Sequence, residues 1–253
     1  MHARIMAVAL ISLAACSGSQ NPAIPTVSNA VLPLHVTEHD FKRLAHWGAK
    51  GQNAVAHCPR GFRVVAGGSS SSDGSFVGTG FSNSEHTAWV VTPNSGASAL
   101  AFATCLRASV AFRTFVWTHH RAVSHIATAH CPQHYMIVTG YGTGQVTWSW
   151  FNPSSQTYWV SGTGTAFASC ARDGAGILIR HAWNRSQSPG NVFAGCGDGY
   201  TVIGGAMGDS NWPGPPIQQH PGAASGPGHH GHAGWWAFSN AQNILTWAAC
   251  VHT

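Results

Sequence analysis

Charge is what this sequence has least of. Asp, Glu, Lys and Arg make up 8% of its 253 residues, about a third of the usual share. The seven carboxylates (Glu38, Asp40, Asp73, Glu85, Asp173, Asp198 and Asp209) are scattered along the chain, which leaves little to carry acid–base chemistry. No Gly-x-Ser-x-Gly occurs, no Gly-x-Gly-x-x-Gly follows a strand and opens a helix, and no Cys-x-x-Cys is present. The nucleophile elbow, the dinucleotide fold and the common thiolate zinc spacing are therefore not expected. The longest apolar run, Ile5 to Ala15, is too short to stay across a bilayer as a helix. The formal net charge of +5 is not clustered, so a nucleic-acid footprint is not expected either.

What the chain has instead is glycine, tryptophan and histidine, with 30, 11 and 17 residues. A hydrophobic fraction of 44% can fill a sizeable core. The polar positions are Ser, Thr, Asn, Gly and His rather than the Glu, Lys and Arg that coat exposed helices, so the expected class is all-β, with many short strands and tight turns.

One order of features occurs three times. Cys58-Pro59, Gly61, Val64-Val65 and Gly67-Gly68 lead to Trp89-Val90-Val91 and then to Ala101-Phe102-Ala103-Thr104-Cys105. The second passage runs from Cys131-Pro132 through Tyr135 to Thr139 and Trp159-Val160 to Cys170, and the third from Cys196 through Val202-Ile203-Gly204-Gly205 and Trp235-Trp236 to Cys250. The second has His134 where glycine is expected, and the third has Gly197 in place of proline. A strand ending in tryptophan (Trp47, Trp117, Trp183) precedes each passage. One such unit is small for a core of its own. The expectation is one domain over 31–253, built of three antiparallel β units (about 31–108, 109–173 and 174–253) around a pseudo-threefold axis.

The amino terminus reads as an export signal. Arg4, the apolar run and Leu13-Ala14-Ala15-Cys16 resemble the lipobox of bacterial lipoproteins, which implies a signal peptide over 1–15 and a diacylglycerol on the thiol of Cys16. Residues 16–30 carry Ser, Gly, Asn and two prolines without periodicity, as a tether does. Ser17 after the lipidated cysteine fits sorting to the outer membrane, on its periplasmic or surface face. With Cys16 set aside, six cysteines remain, two per unit, in a compartment where disulfides persist. The repeat selects Cys58 with Cys105, Cys131 with Cys170, and Cys196 with Cys250. Loops of that size stabilise by roughly 3 to 4 kcal/mol each in the chain-entropy model.

The passage from Trp47 to Val251 is similar to a motif of secreted bacterial proteins. It also loosely resembles the Cys/His-rich C-terminal domain of proprotein convertase subtilisin/kexin type nine, which has three antiparallel β modules. That family has three disulfides per module where this chain has one. The resemblance implies a non-catalytic interaction module and transfers no binding residue.

Two sets of side chains are candidates for a site. His229, His230 and His232, with His220 nearby, lie on a proline-rich stretch of the third unit, 208–234, that reads as a surface loop. Such imidazoles can chelate Zn(II), Cu(II) or Ni(II). Trp148 and Trp150, and Trp212, Trp235 and Trp236, fall in or beside the variable stretches, where indole faces stack on sugars or apolar ligands. Trp47, Trp89, Trp117, Trp159, Trp183 and Trp247 are expected in the core. A further group, His119, His120, His125, His130 and His134, spans the first junction, and His57 and His130 precede Cys-Pro in a structural role. Gly208-Asp209-Ser210 resembles the serine motif of some esterases without its α/β setting. The expected function is a non-catalytic envelope lipoprotein that binds an envelope protein or a glycan. Its alternatives are a histidine-rich metal binder and, last, a hydrolase using Ser210. With few carboxylates to protonate, acid tolerance is expected unless a buried neutral histidine must charge.

Overall fold

The computed structural model describes residues 35–72, 77–93, 96–144, 146–152, 154–184, 190–209, 218–223, 233–239 and 244–253. Cys16, Ser210, Trp212, His229, His230 and His232 lie outside the described residues.

Six strands form before the only α-helix of the described residues: β1 (Phe41–Trp47), β2 (Ala54–His57), β3 (Phe62–Ser71), β4 (Val77–Ser82), β5 (Ala88–Pro93) and β6 (Ala99–Arg107). The helix α1 (Ala108–Thr114) leads into β7 (Phe115–Arg121), β8 (Ile126–His130), β9 (Tyr135–Thr143), β10 (Val146–Asn152), β11 (Thr157–Gly162) and β12 (Thr165–Arg172). The last six are β13 (Ile177–Asn184), β14 (Gly190–Gly195), β15 (Tyr200–Asp209), β16 (Gln218–Ala223), β17 (Ala233–Ser239) and β18 (Ile244–His252). The protein is all-β, and its strands pair antiparallel.

The strands that carry the second cysteine of each pair are central: the orders are β1-β6-β3, β7-β12-β9 and β13-β18-β15. The strands β5, β11 and β17 are flanked as β2-β5-β4, β8-β11-β10 and β14-β17-β16. A bridge between Gln219 and Ser69 joins β16 to β3 and fuses two of these groups into a six-stranded sheet.

Disulfides join Cys58 to Cys105, Cys131 to Cys170 and Cys196 to Cys250. The first cysteine follows β2, β8 or β14 directly and the second lies within β6, β12 or β18. Each bridge therefore clamps one three-stranded group onto another with which, among the described residues, it shares no strand pairing.

Pleat alternation explains the core. In β6 the buried Ala99, Ala101 and Ala103 alternate with half-buried Leu100 and Phe102, and Leu44 and Cys58 close over that face. A bulge interrupts the same place in three strands, leaving Val65, Val138 and Ile203 as the extra residue. A bulge re-aims a side chain. All three join one cluster with Phe41, Phe115 and Ile177, the first residues of β1, β7 and β13. His134 takes a left-handed backbone, φ 65°, as Gly61 and Gly199 do at 84° and 70°. Its carbonyl accepts from Asp173 as theirs accept from Ala108 and Thr253.

Several expectations need correction. Register puts Trp89 opposite Ala56, Tyr158 opposite Ala129 and Trp235 opposite Ala194. Tyr158, not Trp159, is thus the inward residue at the position that Trp89 holds in β5, and Trp235 is core at 1% exposure; no ligand can stack on it. Trp117 pairs with Ser169 while Trp47 pairs with Leu100, so the two tryptophans do not occupy matching places, and Trp47 is 51% exposed. The side chain of Trp183 lies outside the described residues. The stretch 208–234, expected as loop, contains β16 with Pro221 within it. A proline is tolerated there because Gln219 alone of β16 is bridged to β3, so Pro221 sits on an otherwise unpaired edge where no N–H is needed.

Candidate functional site

Strands β16 and β17 place two of the candidate residues side by side: His220 and Trp236 are register partners. With Asn191, Ala237 and Phe238 they line a cavity of about 280 Å³. The indole of Trp236 lies 4.8 Å from the ring of Phe193. On the neighbouring strand a Cβ at Gly222 would stand 2.7 Å from Trp236 Cδ1. Glycine there gives the indole its seat. The His220 ring stacks on Phe102 at 5.3 Å, and its Nδ1 donates to the carbonyl of Pro221 at 2.9 Å. That bond leaves Nε2 of the neutral imidazole as an acceptor. An aromatic wall, one acceptor nitrogen and the exposed amide of Asn191 suit a sugar ring, whose C–H face meets the indole and whose hydroxyls meet the polar groups.

The other candidates are not gathered here. Trp150 does not line this cavity; it is half-buried, 3.2 Å from where a Cβ of Gly208 would be. Trp148 is placed on β10 by its register with Ser161, and its side chain lies outside the described residues. His57, His119, His120, His125, His130 and His134 are exposed. Among the described residues no three His, Cys, Asp or Glu side chains are grouped so as to hold a metal. Among them, too, no helix is long and apolar enough to cross a membrane.

Sequence reasoning missed a second cluster, at His86. This half-buried imidazole stacks on Trp117, centroids 4.3 Å apart, and its Nδ1 is 2.7 Å from Ser82 Oγ. The indole of Trp117 donates to the carbonyl of Val64 at 3.1 Å, and Arg63 lies over Phe112. No spacing rule could link positions 86 and 117, because the contact joins a turn inside the first disulfide-closed segment to a strand, β7, that lies beyond it. Burial, and secondarily the Arg63 guanidinium, holds the His86 pKa below its ordinary value of 6.5. The unfolded chain therefore takes up a proton that the folded one resists, so stability falls as pH drops through about 6.5 and levels off once folded His86 protonates. Thermal melts between about pH 7.5 and 4.5 should show this loss. His86→Asn, which tolerates the left-handed backbone of that position (φ 55°), should reduce the slope.

Fold and site together define a class: a disulfide-braced all-β protein with an aromatic cavity at a sheet edge. Set against models of known protein families and against characterised proteins, the chain matches none.

Proposed function

We propose that this chain is a non-catalytic cell-envelope lipoprotein, held to the outer membrane by lipid on Cys16, that binds a glycan or glycan-bearing envelope component at the Trp236–His220 cavity. The observation that carries the reading is that cavity, where a half-buried indole, an imidazole acceptor and an exposed amide converge. Three disulfides suit an oxidising compartment outside the cytoplasm. The wider architecture is three units about a pseudo-threefold axis. This is supported by the strand orders that recur along the chain, β1-β6-β3, β7-β12-β9 and β13-β18-β15, and by the matched trios Phe41, Phe115, Ile177 and Val65, Val138, Ile203 in one cluster.

A glycan array probed with the full chain in detergent tests the binding. Retention of a defined glycan set is expected, with Trp236→Ala weakening it about tenfold, the roughly 1.4 kcal/mol near the top of the range for a stacked ring. Equal retention by the variant, or no glycan retained by the parent, would remove the basis for the reading.

A further inference from the structure

A second opening lies where β13 meets β9, and two neighbouring junctions show what fits it. Arg43 of β1, Trp117 of β7 and Ile179 of β13 stand at one register position, opposite Thr104, Ser169 and Ala249, each just before the cysteine of a central strand. Arg43 Nε donates to the carbonyl of Val202 at 2.9 Å, and Trp117 Nε1 donates to that of Val64. Val202 and Val64 pair with Cys250 and Cys105. The residue that pairs with Cys170 is Ile137, and there the facing position is filled by Ile179, a side chain with no donor.

The approach to each junction also differs. A 3-10 turn, Glu38–Asp40, precedes β1, and Glu38 takes Arg43 Nη1 at 3.0 Å. The helix α1 precedes β7 and sets Phe112 against Trp117, centroids 6.0 Å apart. Before β13 there is only the turn at 173–176. Beside it a groove of about 540 Å³ opens, with Met136 and Ile179 on its apolar side and Gln133, His134, Tyr135 and Asp173 among its polar lining. Asp173 is the one carboxylate of that lining among the described residues. It lies four residues before the first residue of β13, close to where Glu38 lies before β1, three residues ahead of Phe41.

We propose that this groove receives an arginine side chain carried by a partner protein, its guanidinium paired with Asp173 as that of Arg43 is paired with Glu38 at the neighbouring junction. The aliphatic stem lies along Ile179 and Met136, and the guanidinium meets the Asp173 carboxylate in a charge-assisted pair. Arginine is favoured over tryptophan, the other occupant of the register position, because the lining holds a carboxylate. Arg172 precedes Asp173 but does not line the groove. This site is independent of the Trp236 cavity, and either can fail alone.

The test follows the methyl resonances of Met136 and Ile179 in the full chain in detergent. The probes are a blocked Gly-Arg-Gly peptide, its lysine and tryptophan counterparts, and free arginine amide. Saturable shifts are expected with the arginine peptide. Lysine, a point charge without the planar fork, should bind several-fold more weakly, and Asp173→Asn should weaken the arginine peptide about tenfold. Ile179→Arg, which supplies a guanidinium from within the chain, should abolish the shifts at Met136. Asp173 is exposed, so its variant keeps the test valid if Ile179→Arg fails to fold. No saturable shift, tighter binding of the tryptophan peptide, or unchanged binding by Asp173→Asn would overturn the proposal. Free arginine amide binding as tightly as the peptide would overturn the assignment to a protein partner.

Discussion

Gly67→Ala is expected to destabilise the domain by about 3 kcal/mol or more, at the top of the range for overpacking a core. A Cβ at Gly67 would fall within the ring atoms of Trp89, which is 2% exposed. The ring has nowhere to go: it meets Tyr141 edge-on at 4.7 Å, and Tyr141 lies flat against Phe167 at 4.9 Å. Gly140 stands in the same relation to Tyr158, and Gly205 to Trp235, so Gly140→Ala and Gly205→Ala should behave alike. Urea midpoints measure the loss. A double variant, Gly67→Ala with Trp89→Val, should be less unstable than the sum of its parts, because the smaller side chain makes the room that the methyl needs. Additive losses would show that the ring is not what excludes the methyl.

Reduction of the three disulfides should unfold the protein. Sequence separations of 47, 39 and 54 residues correspond to roughly 3 to 4 kcal/mol each in the chain-entropy model. Three such terms reach the whole stability of an ordinary domain, about 5–15 kcal/mol. Cys196 and Cys250 are both 0% exposed, whereas Cys58 and Cys131 are half-buried. The first two bridges should therefore reduce before the third. Near-ultraviolet circular dichroism from the tryptophans, followed with thiol counting during titration with reductant, reads both effects. A native spectrum after six thiols have been counted would contradict the clamp between layers that the bridges are held to provide. Paired Cys131→Ala and Cys170→Ala isolates one bridge, with the same loss of roughly 3 to 4 kcal/mol expected.

The β class and the cysteine pairing were legible because both follow from local or repeated features: glycine and β-formers after each first cysteine, and a second cysteine at a like interval. His134 was visible in the same way, as the non-glycine at a glycine position, and its positive φ is the physical meaning of that mismatch. The aromatic phase was not legible. Tyr158-Trp159 and Trp235-Trp236 are adjacent pairs in strands, and neighbours in a strand face opposite ways. A shift of one residue exchanges core for surface. Composition cannot choose between the members of such a pair; the alanine opposite does, since Ala129 and Ala194 leave room for Tyr158 and Trp235.

By itself the sequence determined that the chain would make short antiparallel strands, and which sulfurs would meet, because those depend on residue type and on spacing along one segment. Only the tertiary structure decided that His220 and Trp236 share a cavity while Trp235 is buried, and that Arg43, Trp117 and Ile179 hold one position with three different chemistries. The reason is physical: strand register decides which of Trp235 and Trp236 faces the core, and at the junctions of Arg43, Trp117 and Ile179 segments far apart in the chain come together, so the packing partner, not the local sequence, sets what a side chain does.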